Sequence, residues 1–418
     1  MPKVVFFSAL FISVWGQAAT LPQLMRQALN NHPQVHAQLA LIKVKKVGVA
    51  TAKWQYYPTL SANYETVSAA KSDASFTGSS DVTTLSIEQP IWSGGLLAAG
   101  VDVASNQVAL EYGQLQVVKL NIAESVLQAY GKWVSGYETM QAWGRGLAVH
   151  KDLENQVQNR VDHGVSAPID LALATGRVAS THGQYLAAEA EAQLALDEIN
   201  QLTQNQLTHA DLVQDLSASA PLIINLNNHE LWVKAQLIDP QIALAQSQIQ
   251  LAQAELKQQK ASISPRLYFR AEQQVNSFSN AQAGSSTRFF FGLSGSSGAG
   301  LSLLSKNNAA AAMVTAKQAA LAAIKYTKRQ NLVNLITKID ALQFRVEALN
   351  AAMEATLAVS KSYSRQFLAG RKTWQEVLNS AREQVQMEVQ IVDLEAAVLV
   401  AHWRLLLNTS DLTHRGDS

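Results

Sequence analysis

Four short segments alternate apolar and polar residues with a period of two, the pattern of a β-strand with one apolar face. Segments rich in Ser, Gly, Asn and Asp join them in pairs, as is typical of loops between strands. The pattern predicts strands at about 59–68, 82–91, 266–276 and 287–296. Each has about ten residues, the length that crosses a bilayer at a tilt. The residues of the apolar faces are Leu60, Ala62, Tyr64, Leu85, Ile87, Ile91, Leu267, Phe269, Ala271, Phe289, Phe291 and Leu293.

After each pair of strands, the chain changes to a helical pattern of unusual length. Residues 97–161 and 305–408 contain no proline and carry wide, alanine-rich apolar faces. A helix of about 64 residues is roughly 96 Å long, which suits a coiled coil, a solenoid or a tube. A coiled coil needs sustained apolar a and d positions flanked by charges, whereas broad faces of small residues favour a closed ring of helices around an aqueous lumen. The predicted long helices are 97–161, 168–206, 305–369 and 373–408.

The two halves of the chain have the same order of predicted elements at a nearly constant offset. Pro33 and Pro240 are 207 residues apart, and so are Pro58 and Pro265. A fixed offset along the whole chain indicates a tandem duplication of about 200 residues. The predicted organisation is a signal peptide at 1–18, repeat 1 at 19–215, repeat 2 at 216–410 and a C-terminal tail at 411–418.

The first 18 residues have the pattern of a secretory signal peptide. Lys3 provides a positive charge, residues 4–15 form an apolar run, and Gly16 and Ala18 are the small residues of a cleavage site. The alternative is a buried N-terminal strand or helix. The pattern predicts export to the bacterial periplasm or outer membrane, or to the extracellular space.

Composition narrows the function classes further. The chain has 418 residues, of which 48% are hydrophobic and only 16% charged, and its formal net charge is +1. This balance argues against a nucleic-acid binder with a basic face. The absence of cysteine excludes disulfides, thiolate metal sites and cysteine nucleophiles. No later segment has the roughly 18 apolar residues of a membrane-spanning helix, which argues against an inner-membrane protein.

If the four predicted strands cross a membrane, one chain cannot close its own barrel. Membrane barrels have about eight strands or more, and an open edge is not tolerated in lipid. Three copies would supply twelve strands and, with four helical columns each, twelve helices. Aromatic residues at the strand ends are expected to form a girdle at one membrane interface, with packing against a soluble sheet as the alternative. These residues are Trp54, Tyr56, Tyr57 and Trp92.

These features resemble the TolC family of outer-membrane efflux and secretion channels over about residues 20–410. The resemblance rests on LPQLMRQALNNHPQV, YYPTLSANY, QPIWSGGLLAAGVDVASNQVALE and QFLAGRKTWQEVLNSAREQ. It implies an α+β membrane protein in which four transmembrane β-strands and long periplasmic α-helices come from each chain. Three chains would form a homotrimer whose 12-stranded β-barrel continues into a 12-helix α-barrel tunnel. The implied location is the bacterial outer membrane, in contact with its lipid.

Other segments resemble the agglutination-protein branch of this family, whose members serve type I secretion of large surface adhesins. They are GAGLSLLS, NRVDHGVSAPIDLALATGRVAS and AGRKTWQEVLN. In addition, GLSGSSGAGLSLLS lacks the P-x-x-x-G-G form of drug-efflux members, which QPIWSGG keeps in repeat 1. The branch implies a channel that receives an unfolded protein from an inner-membrane ABC transporter through a periplasmic adaptor. The alternatives are the channel of a multidrug efflux pump, a periplasmic coiled-coil protein without a pore, and an outer-membrane enzyme.

The resemblance also implies roles for the two helix–turn–helix tips at the periplasmic end. These roles are adaptor contact at the turns and a gate formed by nearby charges. Helix capping and an ordinary solvated face are the alternatives. The charges in SKSYSRQFLAG are basic, which argues against a cation-selective gate. The predicted adaptor contacts are Gly164, Val165, Ser166, Gly370, Arg371 and Lys372, and the gate candidates are Arg160, Asp162, Lys361 and Arg365.

Signals for catalysis or a cofactor are weak. His32 and His36 have the i, i+4 spacing of a metal-binding pair, but Pro33 and a capping role for His32 argue against a metal site. No G-x-S-x-G, P-loop or G-x-G-x-x-G motif occurs. We therefore expect no enzyme activity, no cofactor, no metal and no nucleic-acid partner.

Overall fold

The computed structural model describes residues 19–68, 73, 75–213, 228–279, 284–295, 299–300 and 302–409. The predicted signal peptide and the predicted C-terminal tail lie outside these residues. In repeat 1 the elements are α1 (Leu21–Asn31), α2 (Pro33–Trp54), β1 (Thr59–Thr66), β2 (Asp81–Trp92), α3 (Leu96–Asp162) and α4 (Pro168–Thr203). In repeat 2 they are α5 (Asn228–Ile238), α6 (Pro240–Ala261), β3 (Arg266–Val275), β4 (Ser285–Ser294), α7 (Ser302–Leu368) and α8 (Trp374–Thr409).

Equivalent helices of the two repeats have equal lengths. The prolines at 33 and 240 are the first residues of α2 and α6, each of 22 residues. The longest pair, α3 and α7, has 67 residues each, and α4 and α8 have 36 each. At 1.5 Å per residue, α3 is about 100 Å long. Among the residues that the structure describes, no helix combines the length and apolar character of a membrane span.

Some element ends differ from the predicted ones. The α4 helix ends at Thr203 instead of residue 206, because Gln204 adopts a left-handed conformation (φ 57°) and its N–H donates to the Asn200 carbonyl. Such a turn is uncommon for a residue other than glycine, so the sequence carries no simple signal for it. The β4 strand runs from 285 to 294 instead of 287 to 296, because its ladder with β3 starts at the pair Ser285 and Val275.

The four strands form one antiparallel sheet in the order β1-β2-β3-β4. The central pair, β2 with β3, joins the two repeats. The register places Leu60, Ile87, Ala271 and Phe289 side by side in one row. Because directly opposed residues share a face, the alternating apolar residues of the four strands come together on one face of the sheet.

The described chain divides into two compact units, and each contains parts of both repeats. The helical unit comprises Met1–Pro33, Lys119–Ala235 and Gln330–Ser418, and the sheet unit comprises Gln34–Val118 and Gln236–Arg329. Repeat 1 and repeat 2 are therefore not separate compact bodies. The reason is that elements of the two repeats pack together, since β2 pairs with β3 in the sheet unit and α4 packs against α8 in the helical unit.

Glycines on α3 let the long helices of the helical unit approach closely. A Cβ at Gly136 would lie 3.0 Å from the backbone nitrogen of Ala192 on α4. A Cβ at Gly131 would overlap the side chain of Val400 on α8. A Cβ at either position would therefore force its packed neighbour to shift, so glycine is favoured at both.

An aromatic cluster on α3 holds the segment that follows α4. The Trp133 ring is 0% exposed, stacks on Tyr137 at a centroid distance of 5.5 Å and donates its Nε1–H to His209 Nδ1 over 2.9 Å. The Tyr130 hydroxyl donates to the Val213 carbonyl over 2.6 Å. We call Tyr130, Trp133, Tyr137 and His209 the aromatic clasp, because they fix this segment on α3.

Candidate functional site: the two helix tips and the apolar sheet face

Both helix hairpins of the helical unit turn at a glycine. The φ angles of Gly164 and Gly370 are 71° and 70°, in the left-handed region that only glycine adopts at little cost. After the first, the Val165 N–H donates to the Arg160 carbonyl over 2.7 Å, five residues back. In the second turn, the Arg371 N–H donates the equivalent hydrogen bond to the Gln366 carbonyl over 2.8 Å. This hydrogen bond is that of a Schellman motif, so both glycines end their helices by the same geometry.

The two hairpins share a small apolar core directly behind these turns. At its centre the rings of Phe367 and Trp374 lie 5.0 Å apart, packed against Val157 of α3 and Ala174 of α4. The guanidinium of Arg160 lies over the Phe367 ring at 4.7 Å. A cation on a buried aromatic face is stabilised by about 0.5–2 kcal/mol. Arg160 therefore joins the α3–α4 hairpin to the α7–α8 hairpin.

The start of α8 is fixed by reciprocal hydrogen bonds. The Thr373 N–H and hydroxyl donate to Glu376 over 2.9 Å each, and the Glu376 N–H donates back to the Thr373 hydroxyl over 3.4 Å. This is a capping box, preceded by Lys372, whose Nζ lies 2.6 Å from the Glu376 carboxylate. The hydrogen bond from Lys372 and then those from Thr373 lower the pKa of Glu376 to about 2. The charge of Lys372 is thus compensated within the tip.

The predicted tip residues fall into an exposed and an engaged group. Lys372 is half-buried and engaged, and Ser166 is half-buried and accepts a 3.3 Å hydrogen bond from Arg160 Nε. Of the gate candidates, Arg160 is half-buried and engaged as described. The exposed residues are Gly164, Val165, Gly370 and Arg371 among the predicted adaptor contacts, and Asp162, Lys361 and Arg365 among the gate candidates.

Several residues that shape the tips were not predicted from the sequence. Phe367 and Trp374 were not among the predicted residues, and neither was the capping box, although the T-x-x-E spacing of Thr373 and Glu376 signals one. The pairing of Arg160 with Phe367, an aromatic ring more than two hundred residues away, had no signal in the sequence.

The second candidate region is the apolar face of the sheet. Leu60, Phe289 and Phe291 are 79%, 69% and 78% exposed. The opposite face is polar and carries an ion pair between Glu272 and Arg288 at 3.0 Å. One exposed apolar face and one charged face are typical of a sheet between lipid and water.

The four predicted interface aromatics lie at one end of this sheet and are exposed. Trp54 ends α2, and its ring lies 4.9 Å from that of Tyr57. The Tyr56 carbonyl accepts a 2.9 Å hydrogen bond from Gln89 of β2, the strand that Trp92 ends. All four surround the junction between helices and strands, where an aromatic belt is expected.

A buried histidine lies between α3 and α4. His150 is 1% exposed, its Nδ1 lies 2.8 Å from the Thr181 hydroxyl, and its Nε2 has no partner among the described residues. Because the Thr181 hydroxyl donates to the Arg177 carbonyl over 2.9 Å, Nδ1 must carry the proton. Burial, and then the charge of Arg177, lowers the pKa of His150 to about 4.

Acid is expected to destabilise this helix pair through His150. Its pKa is 6.5 in the unfolded chain and lower in the fold, so the unfolded chain binds the extra proton. This contribution to stability is complete above about pH 6.5, and about 3 kcal/mol of it is lost as the pH falls to about 4. We expect His150→Leu to remove that acid-dependent part of the unfolding free energy, measured by circular dichroism. Equal pH slopes for wild type and variant would contradict this, and His182→Leu on the exposed face of α4 is the control.

Among the described residues, no group of three or more His, Asp or Glu side chains could hold a metal ion. Within the described part of the chain, His32 and His36 are therefore not part of a group of three metal-ligating side chains.

Comparison with known proteins agrees with this geometry. Residues 24–204, from within α1 to just beyond α4, match the family model described as outer membrane efflux protein. The outer membrane efflux protein BepC of Brucella suis biovar 1 (strain 1330) is 20% identical over 416 residues, covering 95% of this chain and 87% of BepC.

Solved structures of outer-membrane channels share the fold. The channel OprN has a TM-score of 0.79 at 17% identity, over 93% of this chain and 90% of that chain. The outer membrane protein VceC from Vibrio cholerae has a TM-score of 0.75 at 16% identity, over 93% and 95%. At these identities, the structures show the fold alone. The family match over residues 24–204, the relative along nearly the whole chain and the shared fold make this chain similar to TolC-family outer-membrane channels, and they support an outer-membrane location with the long helices in the periplasm.

Proposed function

We propose that the chain is the outer-membrane exit channel of a tripartite type I secretion system. A periplasmic adaptor and an inner-membrane ABC transporter deliver an unfolded protein, a large surface adhesin, to this channel. The transporter supplies the energy, and the channel performs no catalysis. The observation that carries the proposal is the segment from the end of β4 to the start of α7, GLSGSSGAGLSLLS, which lacks the P-x-x-x-G-G form and resembles the adhesin-secreting branch.

The edges of the sheet support a homotrimer. β1 and β4 are the outer strands, and each pairs with one neighbour only within the described chain. Lipid does not tolerate unpaired strand edges, so β4 of one copy must pair with β1 of the next until the barrel closes. Three copies give twelve strands, and TolC-family channels are trimers that work with adaptors and inner-membrane transporters.

The tip geometry supports a mechanism in which the adaptor docks on the exposed turns and the hairpins then move apart. Val165 and Arg371, which follow the two glycines, are exposed and available for contact. Opening must separate Arg160 from the Phe367 ring, since that contact joins the two hairpins. Arg160 thus acts as a latch of the closed tip, whereas Lys361 and Arg365 remain gate candidates on the exposed side of α7.

Removing the latch is expected to open the channel more often. Arg160→Ala deletes the contact with Phe367 and the hydrogen bond to Ser166, which together contribute about 1–3 kcal/mol. We expect the open probability of the purified channel in a planar bilayer to rise at least about fivefold. Lys361→Ala is the matched control, because it removes one exposed charge that has no ion pair or hydrogen bond among the described residues. An identical open probability for both variants and wild type would rule out the latch.

The secretion role is tested by a deletion strain and its complemented parent. We compare their cell-surface and culture-supernatant proteins and their sensitivity to dyes and antibiotics. The proposal predicts that the deletion strain lacks one very large protein and keeps its drug sensitivity. An unchanged set of secreted proteins together with raised drug sensitivity would contradict it.

The second candidate is the outer-membrane channel of a multidrug efflux pump. The specific observation in its favour is that the matching family model and BepC are both described as efflux proteins. The QPIWSGG segment at the end of β2, with Gly94 and Gly95 at φ angles of 60° and 85°, also keeps the drug-efflux form. The same deletion strain separates the two functions.

A further inference from the structure

The apolar face of the sheet contains a shallow depression of about 510 Å³. Its walls are Leu60, Leu85 and Ile87, and its floor lies over Ala62 and Ala271. These two alanines share the face with larger neighbours, so the surface is lower there. A narrow apolar hollow on a face that meets lipid has the chemistry to hold an acyl chain.

One end of this depression is polar. Gln273 lies opposite both Leu85 of β2 and Thr287 of β4, so its side chain belongs to the apolar face. The Gln273 amide donates to the Ser285 hydroxyl and accepts from the Thr287 hydroxyl. Within the described residues, one amide hydrogen of Gln273 and the Ser285 hydroxyl hydrogen have no acceptor and are available to donate. Polar groups facing hydrocarbon are costly unless they are hydrogen-bonded, so these two donors favour a ligand that carries acceptors.

The position of the polar end identifies the leaflet. Trp92, in the aromatic rim at the helical end of the sheet, pairs with Leu267. Gln273 lies six residues further along β3, which is about 20 Å along the strand and about 15 Å along the membrane normal at the usual tilt. Since the apolar band of such proteins is about 25 Å tall, Gln273 and Ser285 lie in the outer-leaflet half, below the headgroups.

Lipid chemistry then separates two kinds of ligand. The chains of an ordinary phospholipid carry no hydrogen-bonding group below their ester carbonyls. An outer-leaflet glycolipid with hydroxylated and acyloxylated chains carries hydroxyl and ester oxygens at that depth. Those oxygens match the donors of Gln273 and Ser285.

We propose that the depression binds one acyl chain of an outer-leaflet glycolipid of the lipopolysaccharide type, whose chain hydroxyl or ester groups bond to Gln273, Ser285 and Thr287. The inference rests on the outer-membrane location and is independent of the cargo, so the secretion experiment and the lipid experiment can fail separately.

The test measures lipopolysaccharide bound to the full-length protein, purified in mild detergent and titrated with lipopolysaccharide before native mass spectrometry. Replacing Gln273→Leu together with Thr287→Val removes the polar end while keeping an apolar surface. We expect apparent affinity to fall about tenfold, the effect of losing one or two hydrogen bonds. Ala271→Phe fills the depression with another apolar group and is expected to weaken binding as strongly.

The matched control is Phe291→Leu, which changes a 78% exposed residue of the same face outside the depression and should leave the affinity unchanged. If the polar double variant fails to fold, Ala271→Phe, which is tested separately, decides the result. Equal affinity in wild type, Ala271→Phe and Phe291→Leu would overturn the proposal. If a phosphatidylethanolamine competes for the depression as well as lipopolysaccharide does at the same concentration, the choice of a glycolipid is overturned.

Discussion

Replacing Trp133 with Ala is expected to lower the free energy of unfolding of the helical unit by about 3–5 kcal/mol. The ring is completely buried on α3, and removing it leaves a cavity that the packed surroundings close only in part. The variant also removes the donor to His209 Nδ1 and the ring on which Tyr137 stacks. We expect a lower melting temperature by circular dichroism and faster proteolysis within residues 205–213.

Two further variants separate the contributions of the aromatic clasp. Trp133→Phe keeps most of the apolar ring and loses the indole N–H, so it is expected to cost only about 1–3 kcal/mol. Trp54→Ala is the matched control, because that indole is 67% exposed and its removal should leave the helical unit as stable as before. Wild-type stability in Trp133→Ala would show that the clasp does not hold this segment.

Replacing Asp239 with Ala is expected to cost the sheet unit about 3–5 kcal/mol. Its carboxylate caps α6 by accepting from the N–H groups of Gln241 and Ile242 at 2.7 and 3.2 Å. It also pairs with Lys328 at 2.7 Å, and the two side chains are only 4% and 18% exposed. The substitution therefore leaves two helix N–H groups and a nearly buried ammonium without an acceptor.

The buried ion pair of Asp239 and Lys328 can be compared with an exposed ion pair in the same unit that has the same nitrogen–oxygen distance. Lys257 and Asp102 also lie 2.7 Å apart, but their side chains are 66% and 48% exposed. Asp102→Ala is expected to cost less than about 1 kcal/mol. Adding Lys328→Met to Asp239→Ala should recover part of the loss, because the unpaired charge is then gone. Equal melting temperatures for Asp239→Ala and Asp102→Ala would contradict the role given to burial.

The parts of the fold that repeat along the chain could be predicted from the sequence. Alternation with a period of two identified the apolar face to which Leu60 and Phe289 belong, because strand pairing preserves that period. The prolines that begin α2 and α6 marked the duplication, because proline is favourable only at a helix start. The glycines of the two tips could also be predicted, because each one ends a helix in a left-handed turn, which glycine adopts at little cost.

The parts that depend on distant residues could not be predicted. Repeats in the sequence indicate how many equivalent segments exist, but not that each compact unit combines both repeats. The contact of Arg160 with Phe367 and the hydrogen bond of Trp133 with His209 join residues far apart in the chain. Exposed and engaged charges at the tips also look alike in sequence, because the partner of a charge is decided by packing.

We expect several copies of this chain to close one channel, and the mass of the assembly shows how many. Native mass spectrometry of the protein extracted from the outer membrane counts the chains in each complex. We expect three chains, because three copies of the four-stranded sheet pair every β1 edge with a β4 edge in a 12-stranded barrel. A complex of one or two chains would contradict it, since one chain supplies four strands and two chains supply eight, not the twelve of the expected barrel.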